Sequence, residues 1–211
     1  MPPSSLTLVC FAVKEEAAPF KEAIGPNPNV QILLTGMGQR NADKSIRTAL
    51  STQKPTLVLT CGFAGALNPD LSLGAVLFSC DEAPLQLRLL AAGALPARFH
   101  CANRVASTAG EKRALWESTQ ADAVEMESQI IYNICREHQI PCATIRVILD
   151  TASEDLPLDF NFLVTADQQM DYRKLAFSLA KSPSKIAALL RLQKESKKAA
   201  EQLGKVLRKL I

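Results

Sequence analysis

Residues 123–150 read AVEMESQIIYNICREHQIPCATIRVILD. The segment opens with Glu125, Met126 and Glu127 at a predicted helix start and continues as an amphipathic helix. A short turn containing Pro141 leads into an apolar strand whose last residue is Asp150. This order carries Glu127 and Asp150 to the rim of a sheet. Carboxylates in such half-buried positions are costly unless something pairs or uses them. Two of them at the ends of adjacent elements therefore define a candidate site for acid/base chemistry.

The same alternation of apolar strands and helices extends on both sides of this segment. Continuous apolar runs at 6–13 (LTLVCFAV) and 30–35 (VQILLT) predict strands covered on both faces. Further strands are predicted at 56–61 and 74–80, with helices over 15–22, 41–50, 111–118, 124–137, 166–180 and 186–210. The stretch 81–104 is harder to read, and a strand near 86–90 followed by a loop at 93–96 is the expectation. Strands alternating with helices imply an α/β fold, a twisted central sheet flanked by helices on both faces. No repeat or low-complexity linker interrupts the 211 residues, so 1–211 is expected to form a single domain.

Composition narrows the function classes. A net charge of +3 and eleven aromatic residues argue against a nucleic-acid surface. The six cysteines form no CxxC pair, and the two histidines, His100 and His138, lack the spacing of a zinc site. Reduced core thiols and no metal are expected. No leader-like segment precedes the first strand, and no apolar stretch is long enough to span a bilayer, so a cytoplasmic protein is expected. The last helix presents Lys185, Arg191, Lys194, Lys197, Lys198, Lys205, Arg208 and Lys209 opposite its apolar stripe. That strip reads as a solvated face, with weak contact to an anionic membrane surface as the sharper alternative.

Ligands of open α/β sheets bind beyond the carboxyl ends of the strands. Three segments fall there: Lys14-Glu15-Glu16, the glycine-bounded turn Gly62-Phe63-Ala64-Gly65, and Asp150. Taken in order, FAVKEE, TGMGQRNA, TCGFAGALNPDLSLGAVLFS, AVEMES and IRVILD resemble the nucleoside phosphorylase/nucleosidase superfamily, in its 5′-methylthioadenosine/S-adenosylhomocysteine nucleosidase branch. The tail after Asp150 resembles a shorter subgroup, the hopanoid-associated nucleosidases that act on adenosylhopane.

The resemblance implies a three-layer nucleoside phosphorylase-like fold, no cofactor, a homodimer, and hydrolytic release of adenine from a 5′-substituted adenosine. It assigns Glu16 to the attacking water, Glu127 to the ribose hydroxyls, Met126 to the sugar and Asp150 to the N7 proton of the leaving purine. Gly62, Phe63, Ala64 and Glu125 join the substrate-binding candidates, with Glu125 expected to pair or to face solvent. The acid must hold a proton near neutral pH, through desolvation or a neighbouring carboxylate.

Two positions depart from the family. Leu149 stands where a serine usually orients the acid, and Phe63 where the glycine turn often carries serine. The region before AVEME is also short, leaving Val105, Ala106 and Ser107 as the residues at hand to sandwich the base. These departures keep open a catalytically degenerate nucleoside-binding protein. A phosphorylase is the other alternative. Glu16 sits where phosphorylases bind phosphate, which favours water, although Lys14 and Arg40 lie nearby.

Overall fold

The computed structural model describes residues 5–163, 165, 174 and 184–211. The helix expected at 166–180 lies outside these residues apart from position 174. In chain order the elements are β1 Thr7–Phe11, α1 Lys14–Ile24, β2 Val30–Leu34, α2 Gln39–Thr52, β3 Leu57–Ala66 and β4 Val76–Cys80. They continue with α3 Ala83–Ala92, β5 Leu95–Pro96, β6 Phe99–Cys101, α4 Ala109–Thr119, β7 Ala123–Glu125 and α5 Ser128–Glu137. β8 Cys142–Asp150, α6 Phe160–Leu163 and α7 Ser184–Leu210 complete the set.

The strands form one mixed sheet in the order β2-β1-β3-β8-β4-β5, with β7 pairing both β3 and β6. β2, β1, β3 and β8 run parallel, whereas β4 is antiparallel to β8. Successive residues of β1 point to opposite faces, as a pleated strand requires. Val9 and Phe11 join the core beneath α1, α3 and α7. Leu8 and Cys10 join a second core beneath α2 and α5. Burial on both faces explains why β1 reads as a short apolar run and why β8 is apolar apart from Thr144, Arg146 and the terminal Asp150. α7 crosses α1 closely at Gly204, where a Cβ would stand 3.2 Å from the Phe20 nitrogen.

Three expectations need correction. Residues 86–90 belong to α3, not to a strand. Pro84 opens that helix, Leu85, Leu89 and Ala92 recur on its buried side, and Gly93 ends it in the left-handed conformation. Straight-chain and γ-branched residues (Gln86, Leu87, Arg88) favour a helix over a strand there. Residues 123–125 form a short strand antiparallel to β3, so the central helix begins at Ser128 and not at Val124. The glycine-bounded segment 62–65 is not a turn after β3 but its continuation, still paired with β8. Gly62 allows this because its φ of +151° suits glycine.

Candidate active site

Beyond the end of β1 and beside the middle of β3 and β8, three carboxylates gather around one guanidinium. Glu16 is the third residue of α1, and its carboxylate turns back over the helix start. Oε2 accepts the N–H groups of Ala12 (3.0 Å) and Val13 (3.3 Å). Oε1 accepts the Phe63 N–H at 2.9 Å. The positive end of α1 and three backbone donors thus hold one buried carboxylate.

Glu125 ends β7, and Glu127 precedes α5. Glu125 Oε2 accepts the N–H groups of Glu127 and Ser128 at 2.9 and 2.7 Å, while Oε1 accepts the Ser128 hydroxyl at 2.7 Å. Glu127 Oε1 accepts the Gly38 N–H at 2.7 Å, at the start of α2. The short β7 strand makes this arrangement possible. It ends the chain against β3 and turns both glutamates inward, where a helix begun at Val124 would have spread them around its circumference.

Arg146, on β8, lies at the centre. Its Nη2 is 2.6 Å from Glu125 Oε2 and 3.4 Å from Glu127 Oε2, and Nη1 donates to the Cys61 carbonyl at 3.2 Å. A Cβ on Gly62 would lie 2.5 Å from Arg146 Nη1 and 2.7 Å from Glu16 Oε1, so the bare glycine is what lets these groups approach. Sequence reasoning missed Arg146. The signal was available: a lone arginine inside the apolar strand CATIRVILD must be paired to be buried.

The electrostatics follow from burial. Burial pushes the Glu16 carboxyl above its ordinary range, against Arg146 and the three N–H donors. Burial likewise lifts Glu127, to about 7, with Arg146 opposing and Glu125 adding to the rise. Burial also pushes on Glu125, but Arg146, Ser128 and two backbone donors outweigh it and hold Glu125 below the usual value. Glu125 is therefore the partner that neutralises Arg146, which answers the expectation that it pairs or faces solvent.

Asp150 stands apart from this cluster, four residues beyond Arg146 on β8 and about 13 Å further along the strand. Its carboxyl rests over Gly65, where a Cβ would be 3.0 Å from Oδ2. The expected neighbour was a carboxylate or an apolar wall, but Lys112 Nζ lies 2.5 Å from Oδ2. The contact is a close ion pair whose angles fall short of a hydrogen bond. Burial raises the acid's proton affinity, Lys112 lowers it, and the net direction is upward.

The remaining candidates have varied placements. Met126 is half-buried between the two glutamates. The Phe63 ring packs against the core that contains α1 and α7 residues, and only its backbone reaches Glu16. Ala64 is buried against Ile148 and Leu77. Val105 exchanges two hydrogen bonds with the Asn161 side chain, and the Ser107 carbonyl accepts the Leu156 N–H, so the 105–107 stretch is tied to the segment after β8. Glu15, Lys14 and Arg40 are exposed. Cys10, Cys61, Cys135 and Cys142 are buried free thiols, and Cys80 and Cys101 are half-buried.

A mixed α/β sheet carrying buried carboxylates at its strand ends defines the nucleoside phosphorylase-like class. The Phosphorylase superfamily pattern matches residues 96–211, more than half of the chain, and the chain belongs to that family. It is 24% identical over 169 residues to the 5′-methylthioadenosine/S-adenosylhomocysteine nucleosidase of Glaesserella parasuis, covering 64% of this chain and 74% of that protein. The enzyme of the same name from Anoxybacillus flavithermus is 24% identical over 167 residues, covering 63% and 72%. The Campylobacter jejuni nucleosidase superposes with a TM-score of 0.72 at 16% identity, covering 98% of both chains. Futalosine hydrolase of Helicobacter pylori superposes with a TM-score of 0.68 at 16% identity, covering 97% of both.

Proposed function

We propose that the chain hydrolyses the N-glycosidic bond of a purine nucleoside, releasing adenine from an adenosine with an apolar 5′ substituent. The observation that carries this reading is the occupancy of the backbone donors around the site. The N–H groups of Ala12, Val13, Phe63 and Gly38, which could otherwise receive an anion, are all taken by Glu16 or Glu127. Arg146 is already paired. Three carboxylates against one guanidinium repel phosphate and suit water. The curated relatives are named as nucleosidases, which agrees with hydrolysis.

In this reading the ribose lies beside Glu127 and Met126, and the base extends toward Asp150. Cleavage develops positive charge on the sugar and negative charge on the purine. Glu16 takes a proton from water as its oxygen bonds to C1′, the bond between C1′ and N9 breaks, and Asp150 gives its proton to N7. Each proton transfer contributes about 10²–10⁴-fold. The carboxylates around Arg146 add favourable charge where the sugar becomes cationic.

Incubation with methylthioadenosine and with longer 5′-alkyl adenosines, with and without phosphate, tests the proposal. Free adenine at a rate independent of phosphate is expected. No adenine from any purine nucleoside, or release only with phosphate, overturns it.

The family resemblance supports a homodimer, to be tested by light scattering, and a cytoplasmic location is proposed alongside it, to be tested by fractionation. For the basic strip of α7 the reading is a solvated face, with weak contact with anionic membranes as the alternative. Ile186 and Leu190 are exposed at its start, although Lys198 pairs with Glu195 and Lys209 donates to the Ala92 carbonyl. The membrane alternative predicts co-sedimentation with anionic vesicles that salt weakens, and absence of binding at every salt concentration disposes of it. Among the described residues no helix is long and apolar enough to cross a membrane.

A further inference from the structure

Lys112 is fully buried on α4, away from the three-carboxylate cluster, and no part of the cleavage scheme above uses it. A lysine is rarely sealed from water unless its charge is matched. Here the ammonium donates to the Thr151 and Glu154 carbonyls, each at 2.7 Å, and lies 2.5 Å from Asp150 Oδ2. Thr108 caps α4, accepting the Glu111 N–H while Glu111 accepts the N–H of Ser107 and Thr108. That box fixes the helix start at Ala109, three residues before Lys112.

The opposite oxygen of Asp150 has different surroundings. Oδ1 takes no hydrogen bond among the described residues, and the side chain keeps 14% of its surface open. Leu149, at the position where the family carries an orienting serine, packs toward the core that holds α7. The polar support that the backbone neighbour does not supply arrives instead from α4.

We propose that Lys112 is the positioning residue for Asp150: its ammonium grips Oδ2 and leaves Oδ1 as the atom that carries the proton to the purine. The proposal rests on the hydrolase reading above. The proton leaves Oδ1 for N7 as the glycosidic bond breaks, and the Lys112 side chain pairs with the carboxylate that forms. The cation also makes Asp150 a stronger acid than burial alone would leave it. The charged or titratable groups facing Asp150 among the described residues are Lys112 from α4 and Glu154 from the loop after β8.

The test compares wild type, K112M and K112R in two measurements. The first is the pH profile of kcat and of kcat/KM for adenine release from methylthioadenosine. In K112M the high-pH limb, which reports loss of the Asp150 proton, is expected to move up by about one pH unit. Misplacement of the acid is expected to lower kcat about tenfold to a hundredfold, with KM within about threefold. K112R keeps the charge but cannot seat on the same three oxygens, so its limb stays while kcat falls. Wild-type kcat and limb in K112M overturn the proposal. If K112M does not fold, wild-type kcat in K112R overturns it.

The second measurement is the Asp150 carboxyl pKa by NMR titration, assigned with D150N, in wild type and in K112M, or in K112R if K112M does not fold. A rise in K112M, or a value in K112R within half a unit of wild type, supports the linkage. An unchanged value in K112M, or a shift of a unit or more in K112R, removes it. This second readout needs no turnover. Wild-type protein that releases no adenine, yet shows the expected titration, refutes the hydrolase reading and leaves the Lys112–Asp150 linkage standing.

Discussion

Arg146 Nη2 and Glu125 Oε2 lie 2.6 Å apart with both side chains 1% exposed, and this pair holds the carboxylate cluster together. Removing the arginine leaves Glu16, Glu125 and Glu127 buried without a counter-charge. R146M is expected to cost about 3–5 kcal/mol of stability, the usual penalty for orphaning a buried ion-pair partner. Urea unfolding at neutral pH measures this, and a loss under about 1 kcal/mol would show that the cluster tolerates its own repulsion.

Glu127 predicts a pH dependence of stability. Its carboxyl is lifted from the ordinary 4.5 to about 7. Between these values the native state binds more protons than the unfolded chain, so Glu127's contribution is present below 4.5 and is lost as pH rises through 7. The full span is worth about 3 kcal/mol. Glu16 and Asp150, also raised, act in the same direction, and Glu125, lowered, opposes them. Urea midpoints of wild type and E127Q from pH 4.5 to 8 test this. E127Q should gain on wild type as pH increases, and a constant difference would contradict the assignment.

Gly62 separates backbone strain from crowding of the site. An alanine there would adopt a φ of +151° and push a Cβ between Arg146 and Glu16. At Gly74 the φ is +79°, but nothing lies within 4 Å of an added Cβ. G62A is expected to lose about 1–3 kcal/mol and to slow adenine release about 10²-fold. G74A should show the backbone penalty with activity retained. Equal activity losses in the two variants would mean that Gly62 acts only through its backbone.

The sheet was legible because β1 and β8 are buried on both faces and therefore appear as largely apolar runs, while β2, only half-buried, still shows as the run VQILL. Glu16 and Glu127 were legible through their place at strand ends within a family pattern. Misreadings arose where tertiary contacts overrode local signals. The glycines bounding 62–65 suggest a turn, yet β8 pairs with them and the strand continues. The AVE segment resembles the first turn of the helix that follows, but pairing with β3 and β6 makes it a strand. Arg146 carried a readable signal, one charge in an apolar strand. Lys112 carried none, because AGEKRALWEST resembles a solvated helix and its burial depends on a loop forty residues away.

Leu149 provides the last prediction. In the family a serine at this position helps orient the acid, so L149S resembles a restoration. In this structure Leu149 packs against the core containing α7 and lines a cavity of about 340 Å³ with Leu73, Ile148, Ala199 and Gln202. A serine there removes apolar contacts and places a hydroxyl toward α7, while Asp150 remains held by Lys112 from α4. L149S is therefore expected to lose about 1–2 kcal/mol of stability with no gain in kcat. Urea unfolding and the rate of adenine release measure both. A faster L149S enzyme would mean that the serine and not the lysine is the better support for Asp150.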